Sequence, residues 1–564
     1  MKCDHKQLKV LTPILAILLL ANSLPARAAV PVAPGAGSIL QQINPVEPAA
    51  PSSAAPQMKI EQGSVSALPS SAPFPVKTIR IKGNTIFDTA TLHALVMDAE
   101  GKSLTLAQLN ELAARITDYY RRHGYPLARA IIPAQTIRDG QVMIEVIEAR
   151  YGRIDLDNHS RVNDALLAST LSPVQGGQVI DQATLDHSLL LLMDIPGVVP
   201  GATLKPGERV GTSDLLVETT SGPTVSGNAT LDNYGNSYTG RVRAGATANY
   251  LNPLHHGDIL SASGLSSGSG MNYGSVSYET LLNGKGTRMG GSYSELHYTL
   301  GDTFESLNAH GTAQVESLWA KHPLVRSRYV NLYGQIQYDR KQLRDHIDLI
   351  NIRTDRHLDN WTASLSGDLR DAFLSGGVNT WNTSWTSGRV GFDDTAAQQS
   401  DALTAKTQGG FSKGTANLVR LQNLGRNNSL YLAYSGQWAS ANLDASEKMV
   451  AGGPYTVRAY DMNVVSGDSG YLGTAELRHD LGRIIQGQCR AVGFIDAEHV
   501  TINRNPWVAG TNDATLGGAG LGLDCIWPGQ WSARTYIAAP VGSTPELLAN
   551  VSSARAWIGI GKGF

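Results

Sequence analysis

From Pro223 to the C-terminal Phe564, the sequence consists of short segments in which polar and apolar residues alternate between turns rich in Gly, Asn, Asp and Ser. Each segment has about ten residues, the length of a strand that crosses a membrane with lipid on one face and water on the other. Examples are residues 241–250, 274–281, 330–338, 429–438, 490–500 and 555–564. We count about sixteen, and an even number lets an antiparallel sheet close without free edges. Residues 223–564 therefore predict a 16-stranded antiparallel transmembrane β-barrel.

Composition supports a barrel and argues against membrane helices. After residue 29, no stretch reaches the roughly 18 consecutive apolar residues that a membrane helix requires. An alternating wall, in contrast, is compatible with the mean hydropathy of -0.15. The 59 Gly, the 20 Tyr and the low charged fraction of 17% favour such a wall over an ordinary soluble enzyme. On composition alone, a secreted all-β protein is the alternative.

The N-terminus has the features of a cleavable secretory signal. Lysines precede an apolar stretch over residues 10–21, and a run of small residues follows at 26–29. We predict cleavage after Ala28 or Ala29, so that residues 1–29 form a signal peptide and the mature chain leaves the cytoplasm.

Residues 30–75 are rich in Pro, Ala and Ser, which predicts an extended linker. Residues 38–44 interrupt this linker and predict a short amphipathic helix, with Ile39, Leu40 and Ile43 as its apolar residues. A helix of this length is marginal unless it docks on a surface. Residual order in a linker is the alternative.

Residues 76–150 and 151–222 predict two copies of a small α+β module with the order β-α-α-β-β. Apolar residues recur at helical spacing over 105–123, and Gly124 with Pro126 ends that helix. The predicted elements of the first copy are strand 76–82, helices 89–98 and 105–123, and strands 127–133 and 141–148. Those of the second copy are strand 152–156, helices 163–171 and 182–193, and strands 201–205 and 214–219.

A loop between two late strands reads Val-Arg-Ala-Tyr-Asp over residues 457–461, and a later strand contains Phe-Ile-Asp over 494–496. In these residues the chain resembles the two-partner secretion transporters (TpsB family), outer-membrane relatives of the barrel-assembly proteins, from about residue 38 to 564. In that family the loop carries Val-Arg-Gly-Tyr/Phe and folds back into the barrel, where its Arg meets the Asp of a Phe-x-Asp strand. The resemblance implies that the loop residues Val457, Arg458 and Tyr460 meet Phe494 and Asp496 on the wall.

One position departs from that family pattern. Ala459 stands where the family has Gly, and a left-handed backbone there would cost Ala more than Gly.

The same ion pair is expected from the physical requirements of a barrel lumen. A lumen wide enough for an unfolded polypeptide leaks unless something fills it, and a loop stays inside only if its polar groups find partners there. In the strand 490–500, Asp496 shares one face with Val492, Phe494 and Glu498, and we predict that this face points inward. A solvated loop arginine and an unrelated strand aspartate are the alternative.

The resemblance also implies location and partners. The two modules correspond to periplasmic POTRA domains that receive an unfolded client, and a sheet edge can add an incoming strand with little sequence specificity. Residues 38–44 stand where the family has a plug helix that occupies the lumen at rest. The expected partners are outer-membrane lipids and a secreted exoprotein of the haemolysin, adhesin, haem-binding or contact-dependent toxin type. The expected state is a monomer in the outer membrane of a Gram-negative cell, with the POTRA domains in the periplasm.

Two cysteines follow the signal, Cys489 and Cys525. If Cys489 begins one strand and Cys525 nears the end of the next, the connecting turn falls near Trp507. The two cysteines then face each other at the periplasmic end, with both side chains on the outward face. In an oxidising compartment this arrangement predicts a cross-strand disulfide. Two free thiols are the alternative.

The remaining patterns are weak. Residues 264–268 match the Gly-x-Ser-x-Gly of a nucleophile elbow but lack its strand-turn-helix context, so they predict a barrel turn. The net charge of -2 argues against a nucleic-acid binder. No His-x-x-x-His or Cys-x-x-Cys spacing suggests a metal, and no cofactor is expected.

Together these features predict a secretion pore without enzymatic activity. An assembly factor for other barrels is one alternative. A passive porin or a barrel enzyme is another, but it leaves residues 76–221 unexplained.

Overall fold

The computed structural model describes residues 33–43, 57–60, 71–548 and 551–564. The predicted signal peptide, residues 1–29, lies outside the described residues, as does most of the predicted linker. None of the described helices is long and apolar enough to cross a membrane.

Short elements precede and build the first module. They are α1 Ala36–Leu40, β1 Gln57–Ile60, β2 Phe74–Val76, β3 Thr78–Lys82, α2 Thr89–Ala94, β4 Lys102–Leu104, α3 Leu106–Arg122, β5 Arg129–Ile131 and β6 Gln141–Ile147. A sheet of order β3-β6-β5 forms one layer, and β2 pairs with β4 beside it. Helix α3 begins at a capping box of Thr105 and Gln108, and it buries the apolar stripe that the spacing predicts.

Two predicted elements of this module have different bounds. The predicted strand 76–82 is divided at Lys77, because β2 pairs with β4 whereas β3 pairs with β6. The predicted helix 89–98 ends at Ala94. Val96, which is fully buried in the core, has left the helical conformation, and a short 3-10 turn follows.

The second module repeats the order β-α-α-β-β. Its elements are β7 Arg150–His159, α4 Asp164–Thr170, α5 Gln182–Met193, β8 Val198–Pro206 and β9 Thr212–Ser221. The sheet order is β1-β8-β9-β7, so a strand from the predicted linker adds to the edge of this module. Strand β1 runs parallel to β8, with Gln57 opposite Gly201 and Ile60 opposite Leu204. Residues 57–60 show no clear alternation, so the sequence did not predict this strand.

The barrel closes with sixteen antiparallel strands. They are β10 Val225–Asp232, β11 Arg243–Leu251, β12 Ile259–Ser266, β13 Met271–Leu281, β14 Arg288–Thr299, β15 Ala309–Arg326, β16 Val330–Ile347, β17 Ile352–Asp371, β18 Gly377–Phe392, β19 Gly409–Gly425, β20 Asn428–Ala439, β23 Ser469–Ile484, β24 Gly487–Thr501, β25 Asp513–Trp527, β26 Trp531–Pro540 and β27 Arg555–Gly563. Between β20 and β23 the loop contains a separate hairpin, β21 Met449–Ala451 and β22 Val465–Gly467.

Several strands are longer than the ten residues predicted. Strands β15 and β16 have 18 residues each and β17 has 20. On the outward face, Tyr338 of β16 lies opposite Trp361 of β17, and the next outward pair, further from the modules, is Arg340 and Asp359. Aromatic rings mark the border of the lipid layer, and charged pairs lie outside it. The strands therefore continue beyond the membrane, where the same alternation persists.

The predicted turn at residues 264–268 is partly wrong. Residues 264–266 belong to β12, and the turn begins at Ser267. Main-chain pairing with both β11 and β13 holds residues 264–266 in the extended conformation despite their Gly/Ser content.

Ion pairs hold the second module against one end of the barrel. Asp194, at the end of α5, forms a bidentate pair with Arg326 of β15, with Nε to Oδ2 at 2.7 Å and Nη2 to Oδ1 at 2.8 Å. Arg328, in the turn after β15, binds Asp186 of α5. The Arg326 side chain has no exposed surface, so this contact is well shielded from solvent screening. The second module therefore has a defined orientation below the lumen.

Candidate functional site in the barrel lumen

Residues 440–468, which we call the lumen loop, leave the wall after β20 and return at β23. Three residues of its tip, Val457, Ala459 and Tyr460, are buried in one apolar cluster with the wall. The wall members of this cluster include Val492, Phe494, Leu516, Tyr536 and Trp557. The tip of the loop thus lies inside the barrel.

Arg458 meets the wall through ion pairs in which its guanidinium is almost completely buried. Its Nη2 lies 2.7 Å from Oδ1 of Asp496, and its Nε lies 2.9 Å from Oδ2 of the same carboxylate. Its Nη1 lies 2.6 Å from Oε1 of Glu476 on β23. The structure brings together the predicted residues Arg458 and Asp496 and adds Glu476, which the sequence did not indicate.

The guanidinium also stacks on an aromatic ring. Its carbon lies 3.4 Å from the ring centroid of Phe494 and 5.0 Å from that of Tyr536. A cation over a ring face gains further attraction when water is excluded. Phe494 therefore contributes to holding Arg458, whereas Val457 and Tyr460 contribute apolar packing.

Ala459 occupies the position of the family glycine without a left-handed backbone. Opposite it on β25 lies Gly518, and a Cβ added at Gly518 would be 2.8 Å from the Cβ of Ala459. Gly518 thus leaves space on the wall for the methyl group of Ala459. The conformational cost that the sequence suggested at Ala459 does not arise.

The base of the lumen loop is held by a second set of ion pairs. Glu447 binds Lys341 of β16 at 2.5 Å and Lys413 of β19 at 2.8 Å. Burial alone raises the pKa of Glu447, but the two lysines outweigh it and hold the pKa of this carboxyl at about 2. Glu447 therefore remains ionised, and the loop is fixed to two strands of the wall.

Helix α1 lies inside the barrel as well. Ala36 and Ile39 are fully buried in a cluster with lumen-facing residues of several strands, and Leu40 and Ile43 pack against the same cluster. The helix runs over Ala36–Leu40 rather than the predicted 38–44, and Asn44 lies outside the described residues. It begins earlier because the wall residue Asp345 accepts the N–H of Ala36 at 2.6 Å.

Both the wall and the lumen loop bind this plug segment, residues 33–43. From the wall, Arg243 of β11 donates to the carbonyl of Gln42 at 3.0 Å. From the loop, the carbonyl of Ser446 accepts from the side-chain amide of Gln41 at 2.5 Å. Plug and loop are therefore in direct contact and fill the lumen together.

Arg356 of β17 connects the two. Its Nη1 lies 2.7 Å from Oδ2 of Asp345, the residue that accepts the N–H of Ala36 of the plug. Its Nε lies 2.5 Å from Oδ2 of Asp444 in the loop. Alternation alone would place Arg356 and Asp345 on the inner face of adjacent strands. Lumen-facing charges are common in barrels, so nothing in the sequence distinguished these two residues from the others.

Cys489 and Cys525 form a disulfide between β24 and β25, with Cα atoms 4.1 Å apart. They lie directly opposite each other in the ladder, at the barrel end where the modules dock. The disulfide cross-links β24 and β25, the two strands that also carry Asp496 and Gly518.

Purified protein, denatured without reductant, is expected to leave Cys489 and Cys525 unalkylated, because the oxidising periplasm favours the bond between opposed cysteines. Reduction should expose both thiols to the reagent, as measured by intact mass. As a control, Cys489→Ser should leave Cys525 reactive without reductant. Two alkylatable thiols in the unreduced wild-type protein would contradict this prediction.

The described residues contain no group of three or more His, Cys, Asp or Glu side chains placed to hold a metal ion. The chemistry of the lumen is that of buried ion pairs, and its arrangement suits a gate.

A barrel filled by its own loop and N-terminal helix, with two POTRA-type modules at one end, defines an outer-membrane transporter of polypeptides. The model of the haemolysin secretion/activation proteins ShlB/FhaC/HecB matches residues 211–525, and that of the ShlB-type POTRA domain matches residues 74–149. The first match covers more than half of the chain. The chain therefore belongs to the ShlB/FhaC/HecB family, the outer-membrane transporters of two-partner secretion.

Individual relatives agree. The chain is 26% identical to the heme/hemopexin transporter protein HuxB of Haemophilus influenzae over 498 residues, which is 87% of each chain. It is 25% identical to the hemolysin transporter protein ShlB of Serratia marcescens over 476 residues, or 77% of this chain and 80% of the relative. In fold, it is similar to CdiB from Escherichia coli, with a TM-score of 0.68, 21% identity and coverage of 89% of this chain and 93% of that one.

These findings confirm the predicted fold class, the predicted transport function and the outer-membrane location with periplasmic POTRA domains. They support secretion rather than the assembly-factor or porin alternatives.

Proposed function

We propose that this transporter exports a partner exoprotein of the haem-binding type, as a pore without enzymatic activity of its own. The support for this client class is the relative HuxB, which is named a heme/hemopexin transporter and matches over most of both chains. The relative ShlB is named a hemolysin transporter and the relative CdiB an outer membrane transporter. A haemolysin or a contact-dependent toxin is therefore the alternative client.

One observation carries the proposed gate: the lumen loop and the plug segment occupy the lumen together and bond to each other. Besides the contact of Gln41 with Ser446, Asn463 of the loop donates to the carbonyl of Ser38 at 3.4 Å. A client can pass only after both have moved. Since each supports the other, displacement of the plug removes contacts that hold the loop, and opening is cooperative.

The second module offers a route from client recognition to the plug. Strand β1 occupies the edge of β8, and it lies in the chain between the plug segment and the first module. An extended client segment that pairs with β8 has to displace β1, because main-chain groups at one edge serve one strand at a time. Release of β1 frees the chain that leads to the plug, so client binding promotes opening of the lumen.

Deleting the gene for this chain in its own organism should remove one large protein from the culture medium, and a plasmid-borne copy should restore it. The exported protein, once purified, should bind haem in a spectrophotometric titration. If no exported protein were lost, the transport function would be contradicted. A client that does not bind haem would contradict the client class and leave transport intact.

A further inference from the structure

The barrel closes where its first strand, β10, meets its last strand, β27, and we call this junction the seam. The seam has five paired positions, from Asn228 opposite Gly563 to Asp232 opposite Gly559. The flanking junctions, β10 with β11 and β26 with β27, have eight each. Beyond Asp232, the side chain of Asn233 continues the pairing by donating to the carbonyl of Ala556 and accepting from the N–H of Ile558. Main-chain hydrogen bonds extend the seam by one position at each end, between Gly227 and Phe564 and from the N–H of Asn233 to the carbonyl of Ile558, which brings its paired positions to seven.

An aspartate of the lumen loop binds arginines on both sides of the seam. Asp461 forms a bidentate pair with Arg555, the first residue of β27, with Nη1 to Oδ1 at 2.6 Å and Nη2 to Oδ2 at 2.7 Å. The same carboxylate accepts from Arg241, in the loop between β10 and β11, at 2.9 Å. The Arg555 side chain is only 13% exposed, so this pair is partly shielded from solvent screening.

Aromatic contacts from the same loop tip span the seam beside these ion pairs. Trp557 of β27 donates its indole N–H to the carbonyl of Arg458 at 2.7 Å. Tyr234, which follows β10, meets Trp557 edge-on with ring centroids 5.9 Å apart and Tyr455 of the loop at 5.7 Å. The tip therefore contacts the first strand's side and the last strand's side of the seam at once.

We propose that the tip of the lumen loop is a clasp across the barrel seam, with Asp461 as its positioning residue. Without the carboxylate, Arg241 and Arg555 would face each other as like charges, and only the main-chain pairing of the seam would oppose their repulsion. With the loop in place, both arginines are neutralised by a residue that belongs to neither strand.

This clasp has a consequence that rests on the proposed gate. A loop movement that clears the lumen also takes Asp461 away from Arg241 and Arg555, so the seam loosens when the pore opens. The wall then becomes most deformable at the moment when the client needs room. Loop position and seam strength are therefore coupled through one carboxylate.

The test is hydrogen exchange of backbone amides in the purified full chain in detergent, without client. We expect D461N to raise the exchange rate of peptides covering Val225–Asp232 and Arg555–Gly563 by about fivefold or more, the effect of losing one good ion pair. Peptides covering β16 and β17, far from the loop tip's aspartate, should be unchanged. D461E keeps the carboxylate and should restore slow exchange, which a change of packing alone would not explain.

Two further variants keep the test decisive. D393N removes another aspartate of a surface loop, one that binds His357 at 2.8 Å away from the seam, and should leave seam exchange at the wild-type rate. R241Q keeps the Asp461–Arg555 pair and should give a smaller increase than D461N. Equal seam exchange in D461N and wild type, or an equal increase in D393N, would overturn the proposal. Because no client is present, these outcomes do not depend on whether the gate model is correct.

Discussion

Replacing Arg458 with Ala is expected to lower secretion of the client by about tenfold or more, because removing one partner of a buried ion pair costs ~3–5 kcal/mol. The substitution leaves the carboxylates of Asp496 and Glu476, both buried on the wall, without their cation. It also removes the guanidinium stacked on Phe494. The tip of the lumen loop then lacks its polar contacts with β23 and β24. Secretion is measured as client in the medium, and barrel folding as the heat-dependent shift in electrophoretic mobility.

Arg478→Ala is the matched control for this experiment. Arg478 also binds Glu476, at 2.7 Å, and also stacks on an aromatic ring, that of Tyr431, but it belongs to the wall strand β23. The Arg478→Ala variant should fold like the wild type and should secrete more client than Arg458→Ala. Unchanged secretion in Arg458→Ala, or an equal loss in Arg478→Ala, would refute the assignment of Arg458 as the residue that holds the loop. Arg458→Lys should remain impaired, because lysine lacks the fork that pairs with two carboxylates.

Replacing Arg356 with Ala is expected to open the lumen without client. Arg356 neutralises Asp345 beside the plug and Asp444 in the loop, and in the variant the partly buried Asp345 and the buried Asp444 lose their shared cation. A loss of ~3 kcal/mol would raise the fraction of time that the plug is released by about a hundredfold. Planar-bilayer recordings should show more frequent large openings, and cells should become sensitive to bulky antibiotics.

Arg353→Ala is the control for the open-lumen phenotype. Arg353 lies on the same strand, β17, but on its exposed face, where its Nε contacts His346 at 3.2 Å. Recordings from this variant should match the wild type. If Arg356→Ala conducted no more than Arg353→Ala, the plug would not depend on the Asp345–Arg356–Asp444 connection.

The fold could be predicted from the sequence wherever one periodicity covers a whole helix or strand. Strands of the barrel alternate with period two because one face meets lipid, and helix α3 shows its stripe because one face meets a sheet. The ends of elements were less accessible. Strands β15 to β17 continue past the membrane with the same alternation, and the division of the strand at Lys77 arises only because β2 and β3 pair with different strands.

Strand β1 and helix α1 show a second limit. Both are too short to be stable alone, so their conformations depend on surfaces supplied by β8 and by the lumen wall. The sequence indicated a helix near residues 38–44 through three apolar residues. Its true start at Ala36 was set by Asp345, which is 309 positions away in the chain.

Periodicity along the chain was enough to predict a barrel with two α+β modules, and the family resemblance of a loop motif and a strand motif was enough to predict Arg458 and Asp496 as partners. The rest of the site could be seen only in the folded barrel: Glu476 beside Arg458, Arg356 between plug and loop, and Asp461 between Arg241 and Arg555. Alternation tells which face of the wall a side chain takes, but not its height along the barrel. Height depends on hairpin lengths, strand register and closure of the seam, and these emerge only when all sixteen strands are in place.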